Sequence, residues 1–335
     1  MMDQKNLLIK VDTLKAFYIS RIYGINRTVR AVDNVSFNIY ENEVLGIAGE
    51  SGCGKSTLLK VLLNLVKPPL YVKEGVVYYF VNNNPVNILD LNIENLRDLR
   101  WKVMSYIPQG SMNVFNPVRK IRDIFKDFIK EHLKEEYSYS NYKNLIKEHI
   151  ESLGLPLEVL NLYPHQLSGG MRQRITIALS TLFKPKIIFA DEPTTALDVV
   201  VQRGVLQLLK KIQKENKNTI VIVSHDMGIH AYISDRIAIM YAGKIIEIGP
   251  KREIFKNPLH PYTKYLIDSL PRIGDKSHKK SILGTPPSLV NPPSGCRFHE
   301  RCPEFMPICK EEEPILYDVG NGHIVACFLV KGGKL

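Results

Sequence analysis

The sequence predicts an α/β fold with an antiparallel β-rich start, a mainly parallel core, an inserted helical subdomain and a small cysteine-containing C-terminal domain. Three observations predict it. The short apolar run Val44-Leu45-Gly46-Ile47-Ala48 ends in a glycine-rich loop that opens directly into helical spacing. The runs KIIFADE and TIVIVSHD are branched and apolar throughout, the pattern of parallel strands buried on both faces. From about residue 256 the composition shifts to proline, glycine and cysteine.

Taken in order, LLIKV and AVDNVSFNIY show partial two-residue alternation and read as strands. EVLGIAGE is a short buried strand ending in glycine. From Lys55, KSTLLKVLLNLV places apolar residues at helical spacing until Pro68 and Pro69 stop it. VVYYF and PVNIL flank the turn-rich residues 82–84, which suggests a hairpin beside the main sheet. Residues 118–183 carry Lys/Glu-rich stretches with three-to-four-residue apolar spacing, a helical subdomain over about 110–183. VVQRGVLQLLKKIQKEN is helical between the two buried runs, and strand, helix, strand implies a right-handed crossover. RIAIMYAGKIIEIGP reads as a hairpin turning at Ala242-Gly243. These elements divide the chain into a core-bearing domain, 1–255, and a C-terminal extension, 256–335.

The chain has 335 residues, 44% hydrophobic and 24% charged, which excludes disordered and fibrous classes and allows about two domains. No apolar stretch approaches the roughly 18 residues that span a bilayer, and MMDQKNLLIK lacks the apolar core of a signal peptide, so the chain is expected to stay in the cytosol. A formal net charge of +11 suits nucleic acid, an anionic membrane surface or an anionic ligand. The densest basic run, residues 276–280, is short and reads as a solvated linker.

Gly49-Glu50-Ser51-Gly52-Cys53-Gly54-Lys55-Ser56-Thr57 fits G-x-x-x-x-G-K-[ST], placed between strand and helix as that motif requires. Glycines let backbone N–H groups turn toward phosphate oxygens, the helix N-terminus adds its dipole, Lys55 reaches the β/γ-phosphates and Ser56 can ligate Mg²⁺. Asp191 and Glu192 end the run Ile187-Ile188-Phe189-Ala190, so two acids stand at the carboxyl end of a buried strand. One can serve a metal and the other a water, although acids also close strands as helix caps. His225, at the end of TIVIVS, also fits a satisfied core histidine.

Leu167-Ser168-Gly169-Gly170-Met171-Arg172-Gln173-Arg174, just ahead of the Asp191 strand, resembles the signature of ATP-binding cassette (ABC) ATPases. Gln109 after Tyr106-Ile107-Pro108, Asp198 in Thr194-Thr195-Ala196-Leu197-Asp198, and Ser224-His225 extend the similarity to every expected motif, in order. The resemblance implies a P-loop NTPase (RecA-like) core that binds ATP and Mg²⁺. It implies that Gly49, Ser51, Gly52, Cys53, Gly54, Lys55, Ser56 and Thr57 hold the phosphates, and that Ser56, Gln109 and Asp191 hold Mg²⁺. Glu192 polarises the attacking water, His225 contacts the γ-phosphate, and Gln109 joins the metal to the transport machinery. Ser168, Gly169, Gly170 and Asp198 join the nucleotide set, the signature helix offering its N-terminus to ATP held by an opposing subunit. An aromatic residue usually stacks on adenine in this family, and Tyr23 before Gly24 is the candidate, within a loop reaching to Val35. Charge stabilisation and water orientation suffice for phosphoryl transfer to water, so no phosphoenzyme is expected.

His260-Pro261-Tyr262-Thr263, Leu270-Pro271, Gly284-Thr285-Pro286-Pro287 and Gly295-Cys296-Arg297-Phe298-His299-Glu300-Arg301-Cys302-Pro303 look like the C-terminal extension of oligopeptide/dipeptide importer ATPases. Four cysteines, Cys296, Cys302, Cys309 and Cys327, are spaced C-x5-C-x6-C-x17-C, with Cys53 alone in the phosphate loop. Clustering in a cytosolic chain favours a metal over disulfides, and four thiolates suit tetrahedral zinc or a 4Fe-4S cluster, with free thiols the third possibility. The spacing matches neither the paired C-x2-C ribbon nor a ferredoxin run. The resemblance implies an iron–sulfur cluster in some members, in a structural role because a short proline-rich domain has little apolar core.

The function so implied is an importer motor at the cytoplasmic face of the membrane, taking up di- and oligopeptides. Its partners would be a second ABC ATPase subunit, two integral membrane permease subunits and, indirectly, an extracellular substrate-binding protein. Relatives with this C-terminal pattern also serve nickel or oligosaccharides. A different class, an ABC ATPase acting on nucleic acid or the ribosome, usually carries a long coiled-coil insertion or two cassettes, and neither is in the sequence. A purely ATP-sensing subunit would need a damaged catalytic position, and Glu192 is present.

Overall fold

The computed structural model describes residues 6–22, 25–81, 84–110, 114–133, 139–270, 282 and 284–331. They fall into two units, Met1–Asp90 with Val223–Leu335, and Leu91–Ile222.

In the first unit, β1 (Leu7–Ile22) and β2 (Ile25–Tyr40) form a long antiparallel ladder, where the sequence placed only two short strands and a loop. The reason is bulging. Register shifts fall between Val11 and Leu14, Leu14 and Ala16, and Ala16 and Tyr18, and Thr13 and Asn34 take positive φ of 48° and 60°. Each shift changes which parity faces inward, so the alternation that marks a strand in sequence is broken while the hydrogen bonds continue. β3 (Val44–Ala48) leads into α1 (Lys55–Leu62), and then β4 (Leu70–Val81) pairs with β1 and with β5 (Asn84–Asn87). The helix stops four residues short of the last apolar position, Val66, because Asn64 turns left-handed at φ 46° and Leu65 N–H donates to Lys60 carbonyl at 2.7 Å. That closure resembles a Schellman cap, which sequence periodicity does not reveal.

The second sheet of this unit joins β3 in parallel to β9 (Arg236–Tyr241), which turns at Ala242 and Gly243, both at positive φ, into antiparallel β10 (Lys244–Pro250). Two short strands, β11 (Tyr317–Asp318) and β12 (Ile324–Val325), continue it beside β10. Helices α7 (Met227–Ile233), α8 (Lys251–Lys256), α9 (Pro261–Asp268), α10 (Ile308–Glu311) and α11 (Phe328–Lys331) complete the unit. The C-terminal stretch is not short of apolar support: Phe298, 1% exposed, packs with Tyr241 and Tyr262 in a cluster that includes Ile237, Ile239 and Ile246 of the sheet. It shares a core with β9 and β10.

In the second unit, β6 (Met104–Ile107) runs parallel to β7 (Ile187–Asp191), with the first four residues of β8 (Thr219–Ser224) next to β7. Between β6 and β7 lie α3 (Ile121–Leu133), α4 (Tyr139–Ser152) and α5 (Gly169–Thr181), after α2 (Ile93–Leu99) and before α6 (Val199–Asn216). The helical spacing of α3 works as expected: Ile121, Phe125 and Ile129 are fully buried at four-residue steps. Helix α5 is buried on several sides, and its Thr176, Ser180 and Thr181 hydroxyls return their hydrogen bonds to carbonyls four residues back.

His230 on α7 is fully buried, its ring 2.3 Å from where a Cβ on Gly46 would lie, so β3 must carry glycine there. Its nitrogens face Ser224 carbonyl at 3.2 Å and Ser234 Oγ at 3.4 Å, and burial holds its pKa down to about 4. The unfolded chain, titrating near 6.5, therefore takes up a proton that the folded chain refuses. Neutral His230 supports the fold above about pH 6.5, and up to about 3 kcal/mol is lost as pH falls toward 4. Thermal melts should show the midpoint dropping between pH 7 and pH 5, and His230→Gln should flatten part of that drop. An unchanged pH profile would remove His230 as its cause; His260 and His132, both also near 4, and His149, lowered by burial, contribute to the same drop.

Candidate nucleotide site

The phosphate loop is built by close contacts that only glycine permits. A Cβ on Gly49 would lie 2.1 Å from the Met240 carbonyl oxygen, and one on Gly54, at φ 111°, 2.0 Å from the Ala31 carbonyl oxygen. The loop is thus wedged between β2 and β9. Gly243 N–H donates to the Cys53 carbonyl at 2.8 Å, a further tie to the β9–β10 turn. At the start of α1, Gly54 offers no capping side chain, so the first helical N–H groups stay available for an anion.

Lys55, 5% exposed, lies folded over the loop rather than extended: Nζ donates to Gly49 carbonyl at 2.7 Å and Glu50 carbonyl at 2.9 Å. Its third contact is Cys53 Sγ at 3.7 Å, the weakest of the three and the one a phosphate oxygen would displace. Burial pushes the Cys53 thiol up in spite of Lys55, so this cysteine is a packing residue, not a nucleophile. Ser51 and Gly52 are exposed on the loop's outer turn and Ser56 is the second residue of α1. Thr57 meets an aromatic residue that the sequence did not nominate: Tyr18 Oη lies 3.2 Å from Thr57 Oγ1. Tyr23, the sequence candidate, lies outside the described residues. His225 is exposed after β8, and the next residue, Asp226, caps α7 by accepting Gly228 N–H at 2.7 Å.

In the other unit, Asp191 is the last residue of β7 and 2% exposed. The parallel register puts Tyr106 of β6 beside Phe189, and the Tyr106 hydroxyl donates to Asp191, where burial first and then the carboxylate raise its pKa well above the phenolic range. Glu192 steps out of the strand into a left-handed conformation at φ 45°, uncommon for a side-chain-bearing residue. Its carboxylate accepts Thr195 Oγ1–H at 2.7 Å. Such a turn aims the second acid differently from the first. Gln109 is exposed just beyond β6.

Ser168 is exposed and caps α5, its Oγ accepting Met171 N–H at 3.2 Å, with Gly169 and Gly170 forming the first turn. Asp198 caps α6 in the same way through Val201 N–H at 2.9 Å. The two caps are neighbours: a Cβ on Gly170 would come within 2.7 Å of Val201 Cγ1. Also in this unit is a mainly apolar cavity of about 550 Å³, lined among others by Trp101, Tyr106, Phe115, Ile124, Phe128 and Leu179.

The four C-terminal cysteines lie in one region of the first unit, each within electrostatic reach of the others. Backbone N–H groups two residues ahead point at three of the sulfurs: Phe298 at Cys296, Glu304 at Cys302 and Leu329 at Cys327. Burial raises three of the thiols, Cys296 to about 12, Cys302 to about 11 and Cys327 in the same direction. Among the described residues, no group of three or more His, Cys, Asp or Glu side chains is arranged to hold a metal ion.

A glycine loop at a strand–helix junction, an acid pair at a strand end and two side-chain-capped helix starts define a P-loop nucleotide triphosphatase. Comparison places it further. A family described as ABC transporter matches residues 32–195, and one described as oligopeptide/dipeptide transporter, C-terminal region, matches residues 246–309. The chain is 40% identical over 331 residues to the dipeptide transport ATP-binding protein DppD of Caldanaerobacter subterraneus subsp. tengcongensis, covering 98% of this chain and 99% of that one. To the oligopeptide transport ATP-binding protein OppF of Salmonella typhimurium it is 34% identical over 338 residues, 98% of each. A solved dimeric ATP-binding cassette in a post-hydrolysis state with ADP and phosphate is similar over 73% of this chain and 99% of that one, at 29% identity and TM-score 0.61. The chain belongs to the ABC transporter family, among its oligopeptide/dipeptide transport ATP-binding proteins, and is an ABC-type ATPase.

Gly54→Ala puts a methyl group against the Ala31 carbonyl and strains a positive φ. ATP titrations should show affinity reduced at least tenfold; wild-type affinity would mean the loop can move away from β2 at no cost.

Proposed function

We propose that the chain couples Mg-ATP binding and hydrolysis, at an interface between two ATPase subunits, to uptake of di- and oligopeptides. The observation that carries this is the wedged loop of residues 49–57 with buried Lys55, a rigid anion cradle, in a chain that matches peptide-transport ATPases along nearly its whole length. We assign the ABC ATPase domain to residues 1–255 and the C-terminal extension to 256–335. No helix among the described residues is long and apolar enough to cross a membrane, so the membrane path must come from permease partners. The apolar cavity beside β6 and α3 is suited to receive a segment of such a permease, at the cytoplasmic face.

In this reading the loop N–H groups and Lys55 bind the β- and γ-phosphates, and Ser56, Gln109 and Asp191 hold Mg²⁺, which neutralises charge on the phosphates when bound. Tyr106 fixes Asp191. Glu192 orients the attacking water and takes up its proton while the bond from the γ-phosphorus to the bridging oxygen breaks, giving ADP and phosphate. His225 contacts the γ-phosphate. Tyr23 is the residue we assign to stack on adenine, and Tyr18, whose hydroxyl lies 3.2 Å from Thr57 Oγ1, is a second aromatic beside the loop. Ser168 with Gly169, Gly170 and Asp198 serves the nucleotide of the opposing subunit through exposed helix N-termini. Exposed Val199 and Val200, 79% and 81%, follow Asp198 and suit burial against that subunit.

Glu192→Gln should leave ATP binding intact, lower hydrolysis at least a hundredfold and accumulate an ATP-bound dimer; unchanged turnover would strip Glu192 of its role. In vesicles holding the complete transporter, labelled dipeptide uptake should require ATP and wild-type Glu192. Uptake of an oligosaccharide or nickel in its place would redirect the substrate assignment.

We also propose a 4Fe-4S cluster at Cys296, Cys302, Cys309 and Cys327. Buried thiols with N–H groups aimed at sulfur suit thiolate ligands. Anaerobically purified protein should contain about four irons and four sulfides per chain and absorb near 400 nm; stoichiometric zinc without iron would overturn the assignment.

A further inference from the structure

The phosphate loop is gripped by the cysteine-bearing C-terminal segment. Glu50, the loop residue after Gly49, receives both arms of the Arg301 guanidinium, Nη1 to Oε2 at 2.9 Å and Nη2 to Oε1 at 3.0 Å. Arg301 is 7% exposed at its side chain, also donates to Tyr241 Oη at 3.1 Å and lies over the Tyr241 and Phe298 rings. Glu50 N–H donates to Tyr262 Oη at 2.9 Å, and Tyr262 is fully buried. The Glu50 carbonyl accepts Lys55. One residue of the loop is thus fixed at its side chain, its N–H and its carbonyl.

The other half of the loop has its own brace from the same segment. Arg297 donates to the Ala242 carbonyl and to Asp33, and the adjoining Gly243 N–H holds the Cys53 carbonyl. Both arginines are tied to the cysteines by local backbone: His299 N–H to Cys296 carbonyl at 3.0 Å, Arg301 N–H to Phe298 carbonyl at 2.9 Å and Cys302 N–H to His299 carbonyl at 3.3 Å. A 3₁₀ turn, His299–Arg301, therefore links Cys296, Arg301 and Cys302 as one short rigid piece. Burying a bidentate Arg–carboxylate pair costs desolvation, which packing alone does not require. Its return here is geometric.

We propose that Arg301 is a positioning residue for nucleotide binding: through Glu50 it presets the phosphate loop, so that affinity for ATP depends on the cysteine-bearing segment. The inference rests on the ATPase assignment above. It acts on binding, because a loop already held in shape need not be ordered when the triphosphate arrives.

The test is titration of full-length, anaerobically purified chain with a fluorescent ATP analogue, alongside steady-state kinetics and melting without nucleotide. Arg301→Ala should weaken binding about tenfold and raise KM with little change in kcat. Arg301→Lys, unable to bond in two arms, should recover only part of the loss. Glu50→Gln, which keeps shape and changes no C-terminal residue, should weaken binding in the same direction, and Glu50→Gln/Arg301→Ala should be no worse than Arg301→Ala alone. Wild-type affinity in both single variants, or losses that simply add, would overturn the proposal. Lys55→Ala separates the two readings. If it abolishes binding while the Arg301 and Glu50 variants bind normally, only the positioning role fails; if it too binds normally, the phosphate-loop assignment fails first.

Discussion

The structure depends on how closely the phosphate loop is pressed against its surroundings. Gly49 and Gly54 lie where a single methyl group would overlap the carbonyl oxygens of Met240 and Ala31, on strands of two different sheets. Interiors packed this tightly transmit displacement instead of absorbing it. The loop's shape is therefore set by β2 and β9 together, and Lys55 folds onto carbonyls that those contacts hold in place.

Buried charges elsewhere in the first unit are paired. Glu247, fully buried, accepts N–H groups of Leu259 and His260 and faces His323 at 2.7 Å, which holds β10, the approach to α9 and the β12 turn together. These bonds keep its pKa low against the burial that would raise it. Arg236 pairs with buried Glu43 at 2.9 Å and lies over the Tyr40 ring. Buried charge placed this way contributes less to raw stability than to selecting one arrangement of strands and turns.

The C-terminal stretch shows where reasoning from composition stopped short. Many prolines and few apolar runs suggested a segment needing a metal to hold it. Phe298 instead enters a cluster of aromatic rings supplied by Tyr241 and Tyr262, and the stretch borrows its core from β9 and β10. Composition counts the apolar residues a segment owns and is silent about those it can share. In the same way nothing in the sequence signalled that Tyr18 would reach Thr57, because the bulges in β1 scramble the parity that tells which side chains face the loop.

What the sequence determined by itself was everything encoded in local order: the glycine loop between strand and helix, the two-acid strand end, the helical insertion and the turn at Ala242-Gly243. Each of these depends on residues within a few positions of one another, whose conformational preferences act before any distant contact forms. Tertiary structure alone decided the rest: that Tyr106 would bond Asp191, that Tyr18 would meet Thr57, and that Arg301, 251 residues along the chain, would close on Glu50. Such pairs are chosen by which surfaces the sheets bring together, and a linear pattern carries no record of that choice.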